Sequence, residues 1–256
     1  MDVIEHNRRA WNRQSLAGSR WCEPVDAATI ARARAGDWSV ILTPTAAVPR
    51  VWFGALAGRS VLCLASGGGQ QAPVLAAAGA SVTSFDLSDE QLAKDALVAT
   101  RDGLDLRCVR GDMRDLSALA DGAFDLVFHP CANGFAPDVG RVWAECFRVL
   151  RPGGALLAGF VNPWCYLFDT DDATAPLTVK YALPFADADH PDDPACAARI
   201  AGGEALMYSH TLEDQIGGQI AAGFLVAGFH EDGWSDAATP LNAYAKVAIA
   251  TRALKP

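Results

Sequence analysis

The stretch that most constrains the fold of this chain runs from Val61 to Gln91. It begins Val-Leu-Cys-Leu-Ala-Ser-Gly-Gly-Gly-Gln-Gln, passes through an alanine-rich segment, and ends Ser-Val-Thr-Ser-Phe-Asp-Leu-Ser-Asp-Glu-Gln. The apolar run Val61 to Leu64 suits a central parallel strand, buried on both faces. Gly67, Gly68 and Gly69 let the backbone turn tightly and let a ligand approach without side-chain obstruction. Asp86 ends the next strand, where a carboxylate can accept hydrogen bonds from a ribose. Strand, glycine turn, helix, strand and acid in that order predict a site for an adenosine-containing cofactor.

The same rhythm continues on the C-terminal side. Strands are expected near 60–64, 81–86, 105–109, 125–129 and 155–161, with helices near 70–79, 89–102 and 138–150. Such alternation requires a parallel sheet with helices on both faces, so the fold class is α/β, doubly wound and Rossmann-like. Arg151-Pro152-Gly153-Gly154 should stop the third helix, because proline lacks a donor and glycine accepts positive φ. Residues 1–58, rich in arginine and without strand alternation, read as an N-terminal helical cap on a core spanning 59–256. Between 162 and 208 the rhythm breaks. Asp169, Asp171, Asp172, Asp187, Asp189, Asp192 and Asp193 face only Lys180 up to Cys196, which suggests a solvated lid insertion after strand five. Thr211 then caps a helix carrying Leu212, Ile216 and Ile220, and two terminal strands follow near 224–230 and 244–251.

Composition narrows the partners. A net charge of −9 argues against a nucleic-acid surface, since a phosphate backbone would be repelled. The seven cysteines lack C-x-x-C spacing and are odd in number, so neither a disulfide framework nor a metal site is indicated. No signal core or membrane span is evident, so the expectation is a cytoplasmic protein acting on a small molecule, of unspecified oligomeric state.

The glycine turn alone leaves the cofactor open. Gly67 to Ala72 satisfies G-x-G-x-x-G/A, and with Asp86 downstream a nicotinamide cofactor, and hence an oxidoreductase, remains possible. Gly111-Asp112-Met113 after the third strand tilts the balance. It sets an acceptor for an exocyclic amine beside an apolar thioether that can cover an adenine ring. With Phe124 to His129 as fourth strand and the Pro-Gly-Gly turn before the fifth, the sequence resembles the class I S-adenosylmethionine-dependent methyltransferases over roughly 58–160 and 211–251.

The resemblance implies a seven-stranded mixed sheet with an antiparallel last strand, and methyl transfer by in-line displacement. Its cofactor roles fall on Ala65, Ser66, Gly67 and Gly69 for the methionine part, Asp86 for the ribose, and Asp112 with Met113 for adenine. Leu87, Gln91, His129 and Pro130 complete the cofactor set. The family commonly has an acid where this chain has Cys63 and glycine where it has Ala65, which leaves a third possibility, a cofactor-binding module without catalysis.

Methyl transfer needs alignment and exclusion of water, and needs a base only when the acceptor must lose a proton. His129, at the carboxyl end of strand four, is a candidate base or a structural histidine; His210, ahead of the Thr211 cap, is the other candidate base. Cys131 reads as a pocket wall. Trp11, Asn133, Asn162, Trp164, Tyr166 and Tyr208 are candidate substrate contacts, each equally compatible with packing.

Overall fold

The computed structural model describes residues 2–168, 176–235 and 238–256; Asp169, Asp171 and Asp172 of the expected lid lie outside them. Seven strands form one sheet: β1 (Ser60–Leu64), β2 (Ser81–Asp86), β3 (Leu106–Arg110), β4 (Phe124–His129), β5 (Leu150–Val161), β6 (Leu225–Asp232) and β7 (Ala248–Leu254). Their order is β3-β2-β1-β4-β5-β7-β6. The first five pair in parallel, and β7 runs antiparallel to both β5 and β6. Strand order reverses between β1 and β4, the switch point where open sheets hold ligands beyond their carboxyl ends.

Period-two alternation in β1 explains how the sheet is buried on both faces. Val61 and Cys63 join one apolar cluster, with Leu75, Val98 and Phe128, while Leu62 and Leu64 join the other, with Phe85, Trp143 and Leu156. The helices are α1 (Val3–Leu16), α2 (Ala27–Arg34), α3 (Gln71–Ala77), α4 (Asp89–Asp102), α5 (Val139–Val149), α6 (Pro194–Gly202) and α7 (Gly218–Ala221). Ser88 caps α4 by accepting from the Gln91 amide, and Gly103 ends it in a left-handed conformation.

Four expectations need adjustment. The segment from 35 to 58 is irregular rather than helical, and Val40, Leu42, Val48, Phe53 and Leu56 are buried in the main core. The backbone of Leu42 lies so close to Gly159 of β5 that any side chain there would collide with it. Strand β5 starts at Leu150, ahead of the Pro-Gly-Gly turn, and absorbs that turn as an irregularity in its pairing with β4. Thr211 does cap, in a reciprocal pair with Asp214, but the helix it opens continues as a π-helical turn over Glu213–Gly217. The face it turns inward carries Gln215 and Gln219, while Leu212 and Ile220 are 46% and 58% exposed. Polar partners decide that orientation: the two glutamines meet Asn133 and Thr251 inside the protein.

The acidic stretch is less solvated than its composition suggests. Asp187 is wholly buried, 2.8 Å from Arg199, and also accepts from the Met207 amide. Asp193 caps α6 and pairs with Lys180. Beside them Tyr181, Phe185 and Cys196 form a small apolar cluster against Tyr166.

Candidate active site

A cavity of about 380 Å³ opens over the carboxyl ends of the parallel strands. Its floor is built in chain order. Ala65, Ser66 and Gly67 follow β1, Asp86 and Leu87 end β2, Gly111, Asp112 and Met113 follow β3, and Pro130 and Cys131 follow β4. Gln91 comes from the first turn of α4, and Trp11 from α1 closes the cavity from above with its ring against Phe135.

The glycine turn is shaped by what lies behind it. Gly68 and Gly69 take φ of +116° and +80°, and Ala65 sits at +49°, a conformation that costs a residue with a Cβ on the order of 1 kcal/mol. A Cβ at Gly67 would stand 2.8 Å from that of Gln91 and 3.2 Å from Asp86, so the turn can lie close to both only as glycine. Asp86 is buried and accepts from the amides of Gly67 (3.0 Å) and Ser88 (2.8 Å). Burial raises its pKa, and those amide bonds oppose the rise.

Other candidates lie outside the cavity wall. Gly69 packs on Pro24 and donates to Asp95. His129 is wholly buried: Nδ1 lies 2.9 Å from the Leu64 carbonyl, and Nε2 lies 2.5 Å from the side-chain amide of Asn133. Burial lowers its pKa and favours the neutral ring. The atom of Asn133 at Nε2 is Oδ1, and its Nδ2 donates in turn to Gln215 Oε1, 2.8 Å away. His129 and Asn133 are thus held in a structural chain under the site. His210 has its Nε2 2.9 Å from the Ala136 carbonyl and 3.2 Å from that of Asn133. Asn162 and Trp164 both donate to the Lys246 carbonyl. Tyr208 joins the site's underside through its amide, which donates to Gly134. Tyr166 does line the cavity.

Sequence reasoning missed a second set of walls: Ile4, Asn7, Trp21, Ile41 to Pro44, Met207 and Trp234. They come from segments far apart in the chain. Trp21 and Trp234 meet edge to face at 5.8 Å, with Arg20 stacked against both, a closure across more than two hundred residues.

The polar atoms in the wall indicate the kind of ligand it suits. Ser66 Oγ and Gln91 Oε1 are buried beside the glycine turn and have no partner within the protein. Orphaned groups of this kind call for a ligand bearing hydroxyls or an ammonium group. Asp112 lines the far end and is held by Arg114 at 2.6 Å, with Met113 next to it.

Comparison with known proteins decides the family. A family profile described as a methyltransferase domain matches residues 62–158. The uncharacterized methyltransferase YbaJ of Bacillus subtilis is 45% identical over 254 residues, 99% of this chain and 98% of that protein. The chain belongs to the S-adenosylmethionine-dependent methyltransferases. A ubiquinone biosynthesis O-methyltransferase of Psychrobacter arcticus is 35% identical over 117 residues, 44% of this chain and 46% of its own length. Among solved structures, an S-adenosylmethionine-dependent methyltransferase from Mesorhizobium loti shares the fold with a TM-score of 0.62 at 20% identity, covering 80% of this chain and 95% of its own. The 1,6-didemethyltoxoflavin-N1-methyltransferase of Burkholderia thailandensis, solved with its substrate and S-adenosylhomocysteine, aligns over 99% of this chain and 89% of its own with a TM-score of 0.58 at 17% identity. In this methyltransferase, then, the cavity with its orphaned serine and glutamine fits the adenosyl cofactor, and the fold and reaction class implied by the glycine turn hold.

Proposed function

We propose that this methyltransferase transfers its methyl group to a small, largely apolar acceptor, with Ala65 to Gly67, Asp86, Gln91, Asp112 and Met113 holding the cofactor. One observation carries the reading. A second cavity of about 260 Å³ adjoins the first and shares Pro44, Val161, Tyr166, Met207 and Trp234 with it. Its other walls include Phe168, Tyr181, Phe185, Leu241 and Val247, a mostly apolar and aromatic enclosure that suits a flat molecule of modest size. The net charge of −9 and the recessed position both disfavour a nucleic acid. No helix among the described residues is long and apolar enough to cross a membrane.

When bound, S-adenosylmethionine supplies an electrophilic methyl group on a sulfonium. The chain's own part is to seat the acceptor, exclude water and avoid competing nucleophiles. Burial pushes the Cys131 thiol up to about 12, so it stays a neutral wall, and burial also raises the Tyr166 phenol, which keeps its proton and can donate to the acceptor. Trp234 Nε1, buried without a partner at the junction of the cavities, offers a second donor to an oxygen or nitrogen of the acceptor. With His129 and His210 turned into the protein, the arrangement favours an acceptor that brings its own lone pair or ionises unaided, catalysis coming from alignment and desolvation. Incubation with methyl-labelled S-adenosylmethionine and a panel of phenols, thiols, heterocyclic amines, nucleosides and RNA tests this. Labelling of small aromatic acceptors is expected; labelling confined to RNA or protein would overturn the proposal.

A further inference from the structure

The glycine turn rests on two buried carboxylates, and only one of them reaches the cofactor cavity. Asp86 lines the cavity and holds Gly67. Asp95, on the inward face of α4, is wholly buried; it accepts from the Gly69 amide at 2.7 Å and from the Ser84 hydroxyl at 2.5 Å. Gly68, Gly69 and Ala65 all hold positive φ, a backbone that persists only where its surroundings over-determine it. The Gly69–Asp95 bond is one such constraint, and its position behind the loop leaves the cavity side of the turn free.

Asp95 has unusual company for a carboxylate. The neighbouring charged group is the other acid, Asp86, and the buried Cys63 and half-buried Cys108 thiols feel its charge. Lys94, next to it in sequence, spends its ammonium on the carbonyls of Ser15 and Cys22 instead.

We propose that Asp95 is a positioning residue for the cofactor: through the Gly69 amide it sets the turn, and its ionisation is coupled to the arrival of the positively charged sulfonium. Burial raises its pKa to about 7, so the group titrates near neutrality. The folded-state value lies above the unfolded one, so this group's effect on fold stability is most favourable below about pH 4 and fades as pH rises to about 7. A bound cation favours the carboxylate, so cofactor affinity should rise over the same upper range.

Calorimetry on the full chain separates this from a purely structural role, using S-adenosylmethionine and S-adenosylhomocysteine, which lacks the sulfonium charge. Between about pH 6 and about pH 8, affinity for the sulfonium compound should climb by up to about tenfold, the equivalent of one pKa unit, with little change for the other. Asp95→Asn keeps the acceptor for Gly69 and leaves Asp86 in place; it should abolish the climb while raising the ligand-free melting temperature at about pH 8. If the variant keeps the wild-type pH slope, Asp86 or another group carries the coupling and the proposal fails. Equal pH responses to the two ligands would also overturn it. Should Asp95→Asn not fold, Ser84→Ala removes a hydrogen bond that favours the carboxylate; the midpoint of the affinity profile should then move to higher pH, and an unmoved midpoint counts against the proposal.

Discussion

The two halves of the site are built in different ways. The proposed cofactor side is a run of consecutive strand ends, Ala65 to Gly67, Asp86 and Leu87, and Gly111 to Met113, tied together by backbone amides and buried acids. The proposed acceptor side is assembled from Pro44, Val161 with Tyr166, Met207 and Trp234, four segments that meet only when the whole chain has folded. A site made of neighbouring strand ends inherits its geometry from the sheet. One made of distant segments depends on the ion pairs and aromatic contacts that bring them together, so the two sides should respond separately to substitution.

The largest effect should come from the acceptor side. Asp187→Ala leaves the mostly buried Arg199 guanidinium without this carboxylate and the Met207 amide without its acceptor. A loss of roughly 3 kcal/mol is expected, as for other broken buried pairs. Thermal melting reads the loss, and calorimetry should find cofactor affinity little changed; a parallel collapse of that affinity would break the separation of the two halves.

Next comes Asp86→Ala, which removes the acceptor for Gly67 and Ser88 and exposes the positive-φ turn to relaxation. S-adenosylmethionine affinity should fall at least about tenfold, consistent with losing hydrogen bonds to a charged group. Unchanged affinity would remove Asp86 from the cofactor site.

Trp234→Phe sharpens the comparison from the other direction. It retains an aromatic wall at the junction of the cavities and deletes the unpartnered Nε1 donor. KM for a methylated acceptor should rise by about threefold to tenfold, the range of one neutral hydrogen bond, with cofactor affinity held. A shift in cofactor affinity instead would place the indole on the cofactor side.

Ala65→Gly should give the smallest change. It relieves the left-handed strain at φ +49° and gains backbone freedom in the unfolded chain, so the melting point should move by no more than the equivalent of about 1 kcal/mol. A large loss would mean that the Ala65 methyl group is itself needed by the cavity wall.

How much of this was legible beforehand follows the same division. The sheet, the glycine turn and the acid ending β2 were readable because each is a local pattern: an apolar run, three glycines, a strand with its carboxylate. Asp95 carried no such mark, since an aspartate in a helix looks like surface until α4 is laid against the glycine turn. His129 looked poised for catalysis at a strand end, yet Leu64 and Asn133 take up both ring nitrogens. Leu212 and Ile220 suggested a buried helix face, but internal partners for Gln215 and Gln219 turned the helix the other way.

The sequence by itself therefore determined the doubly wound sheet and the cofactor turn, because period-two burial and positive-φ glycines are properties of short segments. Only the tertiary structure decided which side chains face the cavities. That choice depends on which polar groups find partners inside the protein, and those partners lie up to about two hundred residues away, as the Asn7 side chain and the Leu206 amide do.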